Sequence, residues 1–389
     1  MSTSYPAAVS SPHLGESYRS PLLKKQMPGL DVLRGIAVLS VLFYHGLYWY
    51  VPANSSVGVL AGKVMRCFVF GWLGVNLFFV LSGFLITGIL LDSRAKPGYA
   101  RSFYIRRMRR ILPAYLLILA VLKVYPGISW KFIMLSLVYL SNFADFVPGI
   151  GYGYSVLWSL AVEEQFYLVW PWVVRWLSSR ALFWVSVGSI LFSPLLRYAS
   201  WTGTLPLGDP HSMTWLISDS LAIGAVMALF LRSRWGNRRN AKRLMIGMFV
   251  FGSVLLVAGA PFGILHRANG VGAALQNTTF EFLFAAMLVM ALFVGDKPQV
   301  FRWTVWLRFL GYISYGLYLY HLLGFYLYDK ITNLLGLYRG SYTSAGVFLR
   351  FIITSVVMVF ISWISRRYFE DRFLRRKEQS FPVTAAQGE

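Results

Sequence analysis

The sequence has few charged residues. Only 13% of its 389 residues are Asp, Glu, Lys or Arg, whereas a soluble domain carries about 25%. Hydrophobic residues make up 57% of the chain, and its mean hydropathy is +0.57. Long apolar runs recur between Leu30 and Trp363, each close to the roughly 20 residues that cross a bilayer as a helix. This composition excludes a soluble enzyme and predicts an all-α, polytopic membrane protein.

Cysteine is almost absent as well. The single Cys67 excludes an internal disulfide and gives no cysteine framework for a metal. Residues 1–28 are rich in Ser and Pro and have no apolar core. We therefore expect a flexible cytoplasmic tail there rather than a cleaved signal peptide. We found no internal repeat, so residues 29–370 are expected to form one membrane domain, followed by a basic cytoplasmic tail at 371–389.

Apolar windows predict about ten transmembrane helices. A shorter stretch, 132–147, is interrupted by Ser141, Asn142 and Asp145, and we interpret it as a re-entrant or interfacial helix. An eleventh span there would invert every later segment. The ten predicted spans cover residues 30–50, 68–91, 111–126, 157–177, 181–199, 214–231, 244–264, 272–294, 309–328 and 345–365.

The basic residues indicate the orientation. With both termini in the cytoplasm, the inner segments hold 27 Lys and Arg residues, and the outer segments and outer span ends hold 9. Cytoplasmic loops retain Lys and Arg, so this asymmetry favours ten spans in a cytoplasmic (inner) membrane. It also explains the net charge of +22 without nucleic-acid binding.

Ionisable residues inside predicted spans are candidates for function, because their burial in lipid is costly. Arg34 and His45 are eleven residues apart in the first span. Eleven helical steps put them on one face, about 16 Å apart along the axis. This arrangement suits a donor that enters near Arg34 and chemistry nearer His45. The structural alternative is that Arg34 pairs with Asp31 and that His45 bonds to a neighbouring helix.

This stripe resembles the Arg-ten residues-His signature of the acyltransferase-3 family, membrane enzymes that O-acylate surface polysaccharides, peptidoglycan and some antibiotics. Four further segments resemble the family's motifs in its order, and the resemblance runs from about residue 28 to 370. The family's fused variants carry a C-terminal esterase-like domain, for which we expect no room here. The four segments are Phe78–Ile86, Phe103–Pro113, Trp158–Tyr167 and Ile313–His321.

The resemblance implies acyl-CoA as the donor substrate, with acetyl-CoA as the expected form. Arg106, Arg107 and Arg110 match the family's basic loop, and guanidinium groups bind phosphates such as those of CoA. The alternative is that this loop only anchors the protein at the membrane surface. Three further residues are candidates to line the donor site near the pantetheine arm and thioester of acyl-CoA: Ser82, Ser314 and Tyr315.

The candidate catalytic residues are Arg34, His45 and Glu163, with His45 as the general base. Helical rise puts Glu163 at a depth similar to that of His45 in span four. We therefore expect a Glu163–His45 hydrogen bond that orients the imidazole. Direct transfer and an acyl intermediate on His45 both remain open. Trp158, Tyr318 and His321 are the candidate acceptor-binding residues, with His321 a second candidate for proton transfer. The scattered His and carboxylate residues predict no metal site.

The sequence thus predicts an O-acyltransferase that moves an acyl group from cytoplasmic acyl-CoA to a hydroxyl of an extracytoplasmic carbohydrate. It predicts no permanently bound cofactor and no nucleic-acid partner, and it carries no signal of oligomeric state. The competing prediction is a transporter or flippase that uses the intramembrane charges as a substrate path. It would move an intact glycan or lipid without consuming acyl-CoA.

Overall fold

The described part of the protein is entirely helical. The computed structural model describes residues 18–50, 59–125, 127–150, 153–295, 297–337 and 343–375, and no strand occurs among them. The α-helices are α1 (Pro28–Gly46), α2 (Val59–Arg66), α3 (Gly74–Ser93), α4 (Tyr99–Val124), α5 (Trp130–Leu137), α6 (Leu157–Trp176), α7 (Ser179–Trp201), α8 (Ser218–Phe230), α9 (Arg238–Gly259), α10 (Gly270–Val294), α11 (Pro298–Trp303), α12 (Val305–Leu334), α13 (Ser344–Ile364) and α14 (Asp371–Arg375).

Six helical segments in this part are long and apolar enough to cross a membrane: 28–46, 61–93, 179–201, 238–262, 270–294 and 344–374. The predicted multi-pass, all-α membrane class is therefore confirmed. The other four predicted spans also overlap helices, namely α4, α6, α8 and α12. Helix α8 has only 13 residues.

Side-chain caps fix where several of these helices begin. Ser178 accepts a hydrogen bond from the backbone N–H of Ala181, and Asn237 accepts one from Asn240. Asn269 and Thr343 cap α10 and α13 in the same way. Such residues satisfy N–H groups that have no partner within the helix.

The segment between α4 and α6 consists of a short helix and a 3₁₀ turn that bonds to α6. Helix α5 has eight residues and is about 12 Å long, too short to cross a bilayer. The chain turns at Tyr139, whose φ is 56°, and continues as a 3₁₀ turn over Ser141–Phe146. Gln165 of α6 donates to the carbonyl of Tyr139 (2.8 Å) and to Asn142 Oδ1 (3.0 Å). The short α5 is therefore not an eleventh span, and the prediction of a re-entrant or interfacial helix stays a prediction.

Helices α3 and α8 approach each other closely at a glycine. A Cβ atom at Gly83 would overlap the carbonyl oxygen of Leu221, so no larger residue fits without moving a backbone. Helices α3 and α8 therefore pack with their backbones in direct contact at this position.

A buried ion pair connects α7, α8 and α10. The Arg197 and Asp219 side chains are both 0% exposed, and Arg197 Nη2 lies 2.8 Å from Asp219 Oδ2. Arg197 also donates to the carbonyl of Ala274 and to Thr278 Oγ1, which itself donates to Asp219. Every charge in this cluster is paired, which is the condition for burying it without a large penalty.

Asp219→Ala is expected to destabilise the protein by about 3–5 kcal/mol, because it leaves the Arg197 charge buried and unpaired. The matched control is Asp92→Ala, which removes a more exposed pair with Arg232 worth about 0–1 kcal/mol. Denaturant unfolding in detergent, followed by tryptophan fluorescence, measures both. Equal losses in the two variants would contradict the expectation.

Residues 18–27, at the end of the predicted N-terminal tail, pack against the bundle. Leu22 and Leu23 are buried, and the backbone N–H of Ser20 donates to the carbonyl of Leu231 at 2.9 Å. This stretch therefore differs from the flexible tail that was predicted for residues 1–28. Residues 1–17 and 376–389, which complete the two predicted tails, lie outside the described residues.

Candidate active site

Two cavities lie side by side in the bundle. The first, of about 420 Å³, is called the basic cavity because five arginines line it: Arg34, Arg106, Arg107, Arg109 and Arg110. The second, of about 480 Å³, contains His45 and His211 and is called the histidine cavity. Both volumes fall within the range of small-molecule sites.

Helix α4 supplies four of the five arginines in the basic cavity. The three that the sequence singled out, Arg106, Arg107 and Arg110, all line it. Arg109 lines it as well and was missed, although it belongs to the same basic run. The Arg107 guanidinium lies over the ring of Tyr167, 4.1 Å from its centroid, which holds this cation against the cavity wall.

The Ser82, Ser314 and Tyr315 side chains line the same cavity. Ser314 Oγ donates to the carbonyl of Gly311, and Tyr315 Oη donates to that of Ile111, both at 2.9 Å. The lone pairs of these two hydroxyl oxygens remain available, so both can accept hydrogen bonds from a ligand.

Arg34 has an ion-pair partner on its own helix. Its Nη1 lies 2.5 Å from Asp31 Oδ1, which is the structural alternative considered from the sequence. Arg34 nevertheless lines the basic cavity, whereas His45 lines the histidine cavity. The two residues of the predicted stripe therefore face different cavities.

Glu163 does not orient His45. Its Oε1 accepts hydrogen bonds from Ser82 Oγ and Tyr167 Oη, and all three side chains line the basic cavity. The predicted Glu163–His45 hydrogen bond is therefore wrong. The depth calculation located Glu163 along the axis of α6 but did not give its rotation about that axis. In the structure, its side chain points toward α3.

The partner of His45 is His321. The Nε2 atom of His321 lies 3.1 Å from Nδ1 of His45, and His321 is only 1% exposed. The sequence named His321 as a candidate acceptor-binding residue and as a second candidate for proton transfer, but His321 lines neither cavity. The structure brings the two imidazoles, on α1 and α12, into hydrogen-bond contact.

Carbonyl groups near the two rings determine which nitrogens carry hydrogen. His321 Nδ1 lies 2.7 Å from the carbonyl of Tyr318, and His45 Nδ1 lies 3.1 Å from that of Val41. A carbonyl only accepts, so both Nδ1 atoms must be protonated. His321 Nε2 then accepts from His45 Nδ1–H. The Nε2 lone pair of His45, which has no protein partner among the described residues, is left available as a base.

This arrangement makes His321 a positioning residue for His45. His321→Leu removes the acceptor at His45 Nδ1 and is expected to lower the rate of acyl transfer by roughly 10- to 100-fold. His321→Gln offers an amide oxygen to the same nitrogen and should recover most of that loss. Turnover at saturating substrates measures both variants. If Gln and Leu reduce turnover equally while both proteins fold, the tautomer argument is contradicted.

Aromatic and polar side chains share the wall of the histidine cavity. Trp49 stacks on His45, with ring centroids 5.8 Å apart, and Trp158 lies edge-on to Phe79. Trp158, predicted to bind the acceptor, lines this cavity. Side chains from distant segments complete it: Trp72, Asn142, Asp145, Asp209, His211, Arg267 and Asn277.

The two cavities meet at Val75, Phe79 and Tyr318, which line both. The Tyr318 hydroxyl lies 2.5 Å from Ser159 Oγ. Tyr318, which the sequence named as a candidate acceptor ligand, is therefore the polar side chain at the junction, and a group held there contacts both cavities.

The sequence missed several residues of the histidine cavity because they come from connecting segments. His211 lies between α7 and α8, and Arg267 lies between α9 and α10. Neither belongs to a recognisable motif, and only the packing of the helices brings them together. No group of three or more His, Cys, Asp or Glu that could hold a metal occurs in the described ranges.

Comparison with known proteins identifies the class. A family model described as an acyltransferase domain matches residues 27–367, nearly the whole range of the motif resemblance. The chain therefore belongs to this family, acyltransferase-3, as its motifs predicted. The class is that of a membrane O-acyltransferase.

Two of the curated relatives are named as peptidoglycan O-acetyltransferases, one of them as putative. The chain is 31% identical over 345 residues to a putative peptidoglycan O-acetyltransferase of Bacillus subtilis, with 76% of this chain and 48% of the relative covered. It is 28% identical to a peptidoglycan O-acetyltransferase of Listeria monocytogenes, covering 77% and 49%. The chain thus spans about half the length of these relatives. None of the solved structures gives a significant match.

Proposed function

We propose that the protein transfers an acetyl group from cytoplasmic acetyl-CoA to a hydroxyl of an extracytoplasmic carbohydrate. The observation that carries the proposal is the pair of cavities that meet at Tyr318, one basic and one containing His45. A phosphate-rich donor and a neutral hydroxyl acceptor need two such environments, joined at the reacting atoms.

The basic cavity is the donor site in this proposal. Its arginines bind the phosphates of CoA, and the apolar wall formed by Phe78, Leu81 and Leu85 accommodates the pantetheine arm. Ser82, Ser314 and Tyr315 lie along this arm, and the thioester reaches the junction. CoA serves as a substrate and leaves after each turnover.

The histidine cavity is the acceptor site. Aromatic faces such as Trp158 stack on sugar rings, and the surrounding amide and carboxylate side chains bind sugar hydroxyls. The names of the relatives make the glycan strands of peptidoglycan the first acceptor to test.

The chemical step uses His45 as general base. The acceptor O–H gives its proton to His45 Nε2 as its oxygen bonds to the thioester carbonyl carbon. The C–S bond then breaks, sulfur leaves with the electron pair, and the proton on His45 passes to the departing CoA thiolate. Tyr318, at the junction, donates its hydroxyl proton to Ser159 Oγ or to the carbonyl of Val156. It must turn away from these partners to donate a hydrogen bond to the carbonyl oxygen as negative charge develops there.

The proposal includes the orientation of the protein in the membrane. Ten spans with both termini in the cytoplasm put the N-terminal part of α4, with its arginines, on the inner side, where acyl-CoA is available. The excess of basic residues in the inner segments supports this arrangement and a location in the cytoplasmic membrane. A transporter or flippase, the alternative from the sequence, would require no base beside the basic cavity.

The test uses purified protein in liposomes with [¹⁴C]acetyl-CoA and peptidoglycan disaccharides on opposite sides of the bilayer. Label in the disaccharide and free CoA on the donor side, in equal amounts, support the proposal. Movement of a disaccharide without CoA release would instead support transport.

A further inference from the structure

A second cluster of polar side chains lies in the histidine cavity, away from the proposed base. It consists of Trp72, His211 and Arg267, which all line the cavity. The His211 and Trp72 ring centroids are 6.3 Å apart. No hydrogen bond or ring contact joins this cluster to His45 among the described residues. Tyr44, which also lines the cavity, lies between them: its ring is 5.1 Å from that of His45, and the Arg267 charge acts on its hydroxyl.

Arg267 is a cation without a carboxylate partner in the described structure. Its guanidinium carbon lies 3.1 Å from the centroid of the Trp72 ring, and its Nε is buried with no hydrogen-bond acceptor. Asp145 and Asp209 line the same cavity. The Asp209 charge acts on Arg267 from a distance, yet neither carboxylate forms an ion pair with Arg267 within 4.0 Å. A buried donor without an acceptor is costly, so the arrangement favours a ligand that supplies one.

His211 and Asn277 present further atoms without partners. His211 Nδ1 and Asn277 Oδ1 are buried with no hydrogen bond in the described structure. Burial, reinforced by the positive charge of Arg267, lowers the pKa of His211 to about 4. The ring is therefore neutral at physiological pH and can donate one hydrogen bond beside the Arg267 charge.

We propose that Arg267 and His211 bind an anionic substituent of the acceptor, a carboxylate or a phosphate, while another hydroxyl of the same molecule lies at His45. Guanidinium groups bind both anions through charge-assisted hydrogen bonds. This inference rests on the proposed function and narrows its substrate class to acidic carbohydrates. Asp145 and Asp209 then bind sugar hydroxyls, which donate to carboxylates.

The test compares three disaccharides as acceptors at saturating acetyl-CoA. One is the neutral N-acetylglucosamine dimer, one carries a lactyl carboxylate on its second sugar, and one carries a phosphate monoester. The wild-type protein is expected to prefer at least one acidic disaccharide by roughly 10- to 100-fold in kcat/KM. The acidic disaccharide that the wild-type protein prefers shows whether the site binds a carboxylate or a phosphate.

Arg267→Gln should remove this preference through a higher acceptor KM, with little change for the neutral dimer and for acetyl-CoA. Arg267→Lys should retain part of it. His266→Gln is the matched control, because His266 is exposed on the same connection. The inference is overturned if wild type shows no acidic preference, or if Arg267→Gln weakens neutral and acidic acceptors equally.

Calorimetric binding of the three disaccharides without acetyl-CoA separates this inference from the proposed function. If no disaccharide is acetylated but an acidic one binds through Arg267, the anion site stands and the transfer proposal fails. If transfer occurs and all three bind equally, the transfer proposal stands and the anion site fails. The comparison of the three disaccharides with wild-type protein tests the anion site even if a variant does not fold.

Discussion

His45→Ala is expected to lower the rate of acetyl transfer by about 10²- to 10⁴-fold, the usual contribution of a positioned general base. His45 Nδ1 is occupied by His321 and the Val41 carbonyl, which leaves Nε2 as the proton acceptor. The side chain does not line the basic cavity. Acetyl-CoA binding should therefore be unchanged, and calorimetry with the purified variant measures it.

The control for this prediction is His266→Ala, which removes an exposed imidazole outside both cavities. It should keep full turnover. Thermal unfolding in detergent shows whether each variant folds. A folded His45→Ala protein with wild-type turnover would refute the base assignment and make His321 the next candidate.

Arg106→Gln and Arg110→Gln are each expected to raise the KM for acetyl-CoA by roughly 10- to 100-fold. The estimate follows from about 1.5–3 kcal/mol for a hydrogen bond that involves a charged group. Both side chains line the basic cavity. Arg107 is less suitable because its substitution also removes the contact with Tyr167.

Two controls separate CoA binding from membrane anchoring. Arg101 is on the same helix and exposed, and it does not line the cavity, so Arg101→Gln should keep the wild-type KM. S-acetylpantetheine lacks the CoA phosphates, so its KM should be the same in wild type and in all variants. If Arg101→Gln weakens acetyl-CoA as much as the other two, the arginines act only as a basic surface.

Sequence patterns predicted the helices well because burial in lipid requires long apolar runs. The positions of Arg34 and His45 also followed from helical geometry, since a helix fixes which residues share a face. The structure adds that this face borders two cavities, with Arg34 on one and His45 on the other.

Contacts between helices were harder to predict. The calculated depth placed Glu163 near His45, but Glu163 bonds to Ser82 and the His45 ring contacts His321. Rotation about the helix axis depends on packing, and a single sequence does not reveal it. His211 and Arg267 were missed for a related reason, because two separate connections meet only in the folded protein.

The two cavities have walls of different kinds. Regular helices supply nearly all of the basic cavity, whereas short irregular stretches around Ser141–Phe146, His211 and Arg267 supply much of the other. Irregular segments accept insertions and substitutions more readily than helices do. In evolutionary terms, the wall of the histidine cavity can diverge while the wall of the basic cavity stays constant. Under the proposed function, exchanging these connections between relatives should therefore change the carbohydrate that is acetylated and leave the KM for acetyl-CoA unchanged.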